Sequence, residues 1–181
     1  MRFTILAVIA LGFSGYCEKS FANPFNDPNR VETVKSLFNN SIWSVSKRTA
    51  IGYTGEKSSL CQARSSTGKS QISIVGLGGL MSIQLTDSSW KYQDQKNTVT
   101  LSGPMKKFDP PFDLHNARYV KNQIVWIYNL HDLIALDIIS EMAKYSNSVP
   151  VLDYKGREIG SIKIGKASQA FAAWRKCIRG L

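Results

Sequence analysis

The sequence predicts an α+β protein: an antiparallel β-sheet meander or sandwich with an N-terminal helix, one buried helix near residues 132–145 and a disulfide-clamped C-terminal helix. Three observations carry this expectation. Short runs of alternating apolar and polar residues recur from Ile42 to Tyr128, separated by turn-forming residues. The apolar period lengthens to that of a helix over His131–Tyr145 and again over Ala167–Arg179. Two cysteines, Cys61 and Cys177, remain once an N-terminal leader is set aside.

The leader is residues 1–22. Arg2 precedes an apolar core from Phe3 to Phe13, and the polar region ends Ser20-Phe21-Ala22, with small residues at the first and third positions before the expected cut. This is the pattern of a secretory signal peptide, with the mature chain starting near Asn23 and residues 23–181 forming one β-rich domain. The apolar core is too short to span a bilayer of roughly 30 Å, and no later segment approaches that length. Acylation at Cys17 is the alternative, and it is disfavoured by Tyr16, where a small residue is wanted.

Taken in order, Asp27 and Pro28 make a helix start, and Val31, Val34, Leu37 and Phe38 form an apolar stripe ended by Asn39-Asn40, so a short amphipathic helix is expected here. Ile42–Lys47 and Leu60–Arg64 read as strands. Gln71–Leu77 and Leu80–Thr86 flank Gly78-Gly79 as a hairpin. Trp90–Gln93 and Thr98–Ser102 make another pair around Asp94–Asn97. Pro104, Pro110 and Pro111 mark Gly103–Asn116 as a loop or edge extension, after which Ala117–Val120 and Gln123–Tyr128 resume the strand signal. Ile134, Ile138 and Met142 place a helix over His131–Tyr145. Val149–Asp153 and Ile159–Ile164 then form a hairpin about Gly156. Finally Ala167, Ala170, Phe171, Trp174, Cys177 and Ile178 share one face of the last helix, opposite Arg175, Lys176 and Arg179.

In an oxidising compartment Cys61 and Cys177 most simply form one bridge, the alternative being two buried thiols. Chemistry-bearing motifs are sparse. Ser66-Thr67-Gly68-Lys69-Ser70 resembles the end of a phosphate-binding loop, but Ala63 stands at the position of its first glycine and Ser70 opens a strand where such a loop needs a helix. Gly76-Leu77-Gly78-Gly79 lies between strands and fails as a dinucleotide fingerprint. His115 and His131, near Asp113 and Asp132, are the only histidines and offer the only catalytic alternative, a small hydrolase. No nucleophile elbow or metal-ligand spacing accompanies them, so no enzyme activity, cofactor or metal is expected.

Charge is more informative. Loss of Arg2, Lys19 and Glu18 with the leader takes the formal charge from +10 to about +9. From Lys155 onward, Lys155, Arg157, Lys163, Lys166, Arg175, Lys176 and Arg179 face only one acid, Glu158. These seven are the candidate anionic-partner binding residues. Outside the cytoplasm such a surface meets an acidic protein, anionic lipid or acidic glycan, and no nucleic acid is expected. The bland alternative is a solvated face that keeps the protein in solution.

Trp43-Ser44-Val45-Ser46, Cys61-Gln62-Ala63, the Gly160–Ile164 strand and the Ala167-Ser168-Gln169-Ala170-Phe171 segment that follows it resemble the invasion-associated locus B family of exported bacterial proteins. The chain lacks a cysteine just after Trp43 and adds a helix at 132–145. The resemblance implies a non-enzymatic, β-rich, virulence-associated protein, periplasmic or secreted, that supports host-cell association or envelope maintenance. An inhibitor or immunity-type partner of an envelope-directed enzyme is a further alternative.

Overall fold

The alternating runs from Trp43 to Asp87 form strands in the computed structural model, which describes residues 23–65, 70–77, 79–87, 99–101, 112–114, 118–120, 123–129, 134–153 and 155–181. The predicted leader, Cys17, the Trp90–Gln93 strand, the Ser66–Lys69 connection, His115 and His131 lie outside the described residues. In chain order the strands are β1 (Val31–Asn39), β2 (Trp43–Ile51), β3 (Lys57–Ser65), β4 (Ser70–Leu77), β5 (Leu80–Asp87), β6 (Val99–Leu101), β7 (Phe112–Leu114), β8 (Arg118–Val120) and β9 (Gln123–Asn129). Helix α1 (Ile134–Tyr145), β10 (Ser148–Leu152), β11 (Glu158–Lys163) and helix α2 (Ala167–Ile178) complete the chain.

Strands β1 to β5 are a consecutive antiparallel meander, which β9 and β8 extend into a seven-stranded sheet of order β1-β2-β3-β4-β5-β9-β8. A smaller sheet runs β11-β10-β6-β7. The proline-marked segment therefore supplies an edge strand, β7, in keeping with the rule that proline-rich stretches avoid sheet interiors.

Cross-strand neighbours share a face, so the register decides what each face of the large sheet carries. One face presents Val45, Ala63, Ile74 and Ile83 as a continuous row across β2, β3, β4 and β5. All four are buried, together with Trp43, Ile72, Met81 and Leu85. Phe171 and Trp174 of α2, Ile139 and Met142 of α1, and Val149, Val151 and Ile162 of the small sheet close over them as the main core. On the opposite face a smaller cluster gathers Ala50, Leu60 and Val75 under Phe25, which sits in a 3-10 turn, Pro24–Asn26, begun by the Asn23 side chain accepting from the Phe25 N–H at 3.1 Å.

The expected N-terminal helix is overturned: residues 31–39 are β1, paired with β2 along its length apart from a bulge at Leu37. The stripe Val31, Val34, Leu37 fits helical spacing, but Val31, Thr33 and Val34 are β-branched and suit a strand equally well. Pairing with β2 decided between them. Asp27 does act as a cap, though of a turn: its carboxylate accepts from the Asn29 N–H at 2.8 Å and from the Tyr53 N–H at 2.6 Å, tying the N-terminal segment to the β2–β3 turn. Asn40 tightens the β1–β2 turn by accepting from the Ile42 and Trp43 N–H groups at 2.8 and 2.6 Å.

Candidate functional site

Helix α2 carries Arg175 and Lys176 and is flanked by Lys166 and Arg179, four of the seven predicted basic residues, and its position is over-determined. Its N-terminal neighbour Lys166 adopts a left-handed conformation, φ 57°. This turn is held by the Asn147 carbonyl, which accepts from the Ile164 and Gly165 N–H groups at 2.9 and 3.0 Å, and by Trp43, whose indole N–H donates to the Gly165 carbonyl at 3.1 Å. Trp43 also meets Phe171 edge-on, with ring centroids 5.0 Å apart, a favoured aromatic arrangement. Three turns further on, the Cys61–Cys177 disulfide joins α2 to β3 across a Cα separation of 6.0 Å. Both cysteines are buried.

Close approach of the helix to the sheet depends on Gly76 of β4. A methyl group there would overlap Ile178 Cδ1 and come within 2.9 Å of Trp174 Cζ2. The glycine that fails as part of a nucleotide fingerprint thus has a packing role, leaving room for the two α2 side chains nearest the bridge.

The seven predicted cations do not form one cluster. Lys155 and Arg157 lie at the β10–β11 turn, where buried Asp153 accepts from the Lys155 N–H at 2.8 Å and from the Arg157 N–H at 2.9 Å, and pairs with the Arg157 guanidinium at 2.6 Å. Burial alone would raise the Asp153 pKa, but these hydrogen bonds and the guanidinium outweigh it and hold the carboxyl below its ordinary value. Lys163 is exposed on β11, opposite Ser148. Lys166 stands at the start of α2, whereas Arg175, Lys176 and Arg179 occupy its far end, about 14 Å along a helix rising 1.5 Å per residue. Arg175 pairs with Asp137 of α1, its Nε buried without a partner among the described residues. Lys163, Lys166, Lys176 and Arg179 are exposed, with no carboxylate partner among the described residues.

Sequence reasoning missed Lys47. Its ammonium group donates to the Gly180 carbonyl at 3.3 Å, placing a positive charge at the negative end of α2, where Arg175 and Lys176 also favour the helix dipole. No sequence spacing signals this contact, because Lys47 and Gly180 are brought together only when α2 lies across β2 and β3.

Among the described residues, no group of three or more His, Cys, Asp or Glu side chains is placed to hold a metal ion. No helix among them is long and apolar enough to cross a membrane. The fold and this surface together define a disulfide-clamped α+β protein with a dispersed cationic C-terminal region. No family model, curated protein or solved structure matches the chain.

Proposed function

We propose that this chain is an exported, non-enzymatic bacterial binding protein, periplasmic or secreted, whose cationic C-terminal region engages an acidic partner. Four exposed cations without a carboxylate partner among the described residues, Lys163, Lys166, Lys176 and Arg179, support this reading. Arg157 and Arg175 instead serve the fold through Asp153 and Asp137. Lys166 adds a second consideration. It keeps a left-handed backbone that glycine would hold at roughly 1–2 kcal/mol lower cost, so its side chain has a use beyond the turn. An internal disulfide suits an oxidising compartment. The resemblance to the invasion-associated locus B family extends the proposal to host-cell association or envelope maintenance.

The test is binding of the oxidised protein to vesicles containing anionic lipid, to an acidic polysaccharide and to acidic periplasmic proteins, at low and high salt. Combined replacement Lys163→Glu, Lys176→Glu and Arg179→Glu removes salt-sensitive binding while leaving the tryptophan circular dichroism unchanged. Wild-type protein with no salt-sensitive affinity for any of the three overturns the proposal.

A further inference from the structure

Strand β1 is an edge of the large sheet, yet it carries little of the protection usual for edges. It is nine residues long, contains no proline, and most of its residues are exposed. Val31 and Val34, on opposite faces, are 65% and 63% exposed, whereas Phe38 near the strand's end packs against the main core. Its edge protection is limited to the bulge at Leu37 and the charges of Glu32 and Lys35.

The charges on the two faces of β1 differ. Lys35 is the cross-strand neighbour of Lys47, and both share the face that carries Val45 and α2. Lys57, opposite Ile51, stands on the same face in a separate cross-strand row. The acid of β1, Glu32, lies on the other face and is neutralised there by Arg48 at 2.5 Å and Arg30 at 3.4 Å. Those guanidinium groups hold the Glu32 carboxyl below its ordinary pKa against the opposing effect of burial. A strand added to β1 would therefore find open backbone groups, apolar contacts at Val31 and Val34, and an uncompensated ammonium group at Lys35.

We propose that β1 is a docking edge for an extended acidic segment of a partner protein, which adds as an eighth strand with a carboxylate opposite Lys35. Main-chain hydrogen bonds supply affinity in this mode, and the side chain facing Lys35 supplies selection. A second copy of the chain fits less well, because pairing two β1 strands sets Lys35 of each copy on one shared face of two strongly basic proteins. Lys35 lies on the α2 side of the sheet, beside Lys47 that reaches Gly180, so the α2 cations are a neighbouring surface and are replaced separately in the test.

The test uses the full oxidised protein and two synthetic peptides that alternate valine with glutamate, or valine with lysine, over the nine residues that β1 can pair. The glutamate peptide binds saturably, more weakly at high salt, and slows amide hydrogen exchange in residues 31–39. The lysine peptide binds at least tenfold more weakly. Lys35→Glu reverses that preference, and Lys35→Gln, which removes the charge with less risk to the fold, reduces it. Replacement of Lys176 and Arg179 leaves the peptide preference intact. Equal binding of the two peptides, absence of saturable binding by the glutamate peptide, protection located on α2 instead of β1, or a peptide-free dimer that already protects residues 31–39 would each overturn the proposal.

Discussion

Trp174 and Cys61 are joined by a buried hydrogen bond, the Trp174 indole N–H donating to the Cys61 carbonyl at 3.0 Å, and Cys177, one helical turn beyond Trp174, bonds the Cys61 sulfur. The hydrogen bond satisfies a buried donor, and the bridge secures the same contact covalently. Helix α2 is twelve residues long, too short to persist alone in water, so these contacts and the packing of Phe171 and Trp174 hold it.

The bridge spans 116 residues, and the chain-entropy model assigns it about 4–5 kcal/mol. Cys177→Ser is expected to lower the denaturant midpoint by a large fraction and to expose Trp174 to quenchers. Cys61→Ser should match it, with little further loss in the double variant, since both remove one interaction. Additive losses, or free thiols in protein prepared under oxidising conditions, would contradict the clamp.

Gly76→Val should destabilise by about 1–3 kcal/mol or more, because the new side chain meets Ile178 and Trp174. Pairing it with Ile178→Ala should recover part of the loss. A stability equal to wild type in the single variant would show that α2 can shift away from β4 at no cost.

Lys166→Gly separates fold from function. Glycine relieves the left-handed backbone, so thermal stability should stay level or rise, by the equivalent of roughly 1 kcal/mol. Salt-sensitive binding to an acidic partner should fall in the same variant. Unchanged binding would remove Lys166 from the proposed surface.

Acid stability should follow the depressed carboxylates. Asp27, Glu32 and Asp153 have folded pKa values below their unfolded ones. Their contribution is therefore fully present above the unfolded values, near pH 4, and is lost as pH falls through the folded values. Asp153→Asn should lower the melting temperature at neutral pH, with the gap to wild type narrowing below about pH 4. A gap that stays constant from neutral to acid would assign the loss to packing instead of charge.

The histidines provide the test of catalysis. His115→Gln combined with His131→Gln should leave the biological phenotype unchanged, since no nucleophile or ligand spacing accompanies either residue. A folded double variant without function would favour the hydrolase alternative.

Local pattern in the sequence was enough for the β2–β5 meander, the β10–β11 hairpin and the amphipathic period of α2, because alternation, turn glycines and helical spacing are set within a few residues. The Cys61–Cys177 bridge was legible for a different reason: setting aside the predicted leader left only one possible intramolecular pair. Tertiary structure alone decided the state of residues 31–39, whose apolar spacing suits a helix and whose β-branched residues suit a strand, until the edge of β2 supplied backbone partners. It also divided the predicted basic surface. Whether a cation is available to a ligand depends on which acid lies beside it, and Asp137 reaches Arg175 only because α1 and α2 pack together, 38 residues apart in the chain. Charge can be counted from the sequence, but the pairing of those charges is a property of the folded chain.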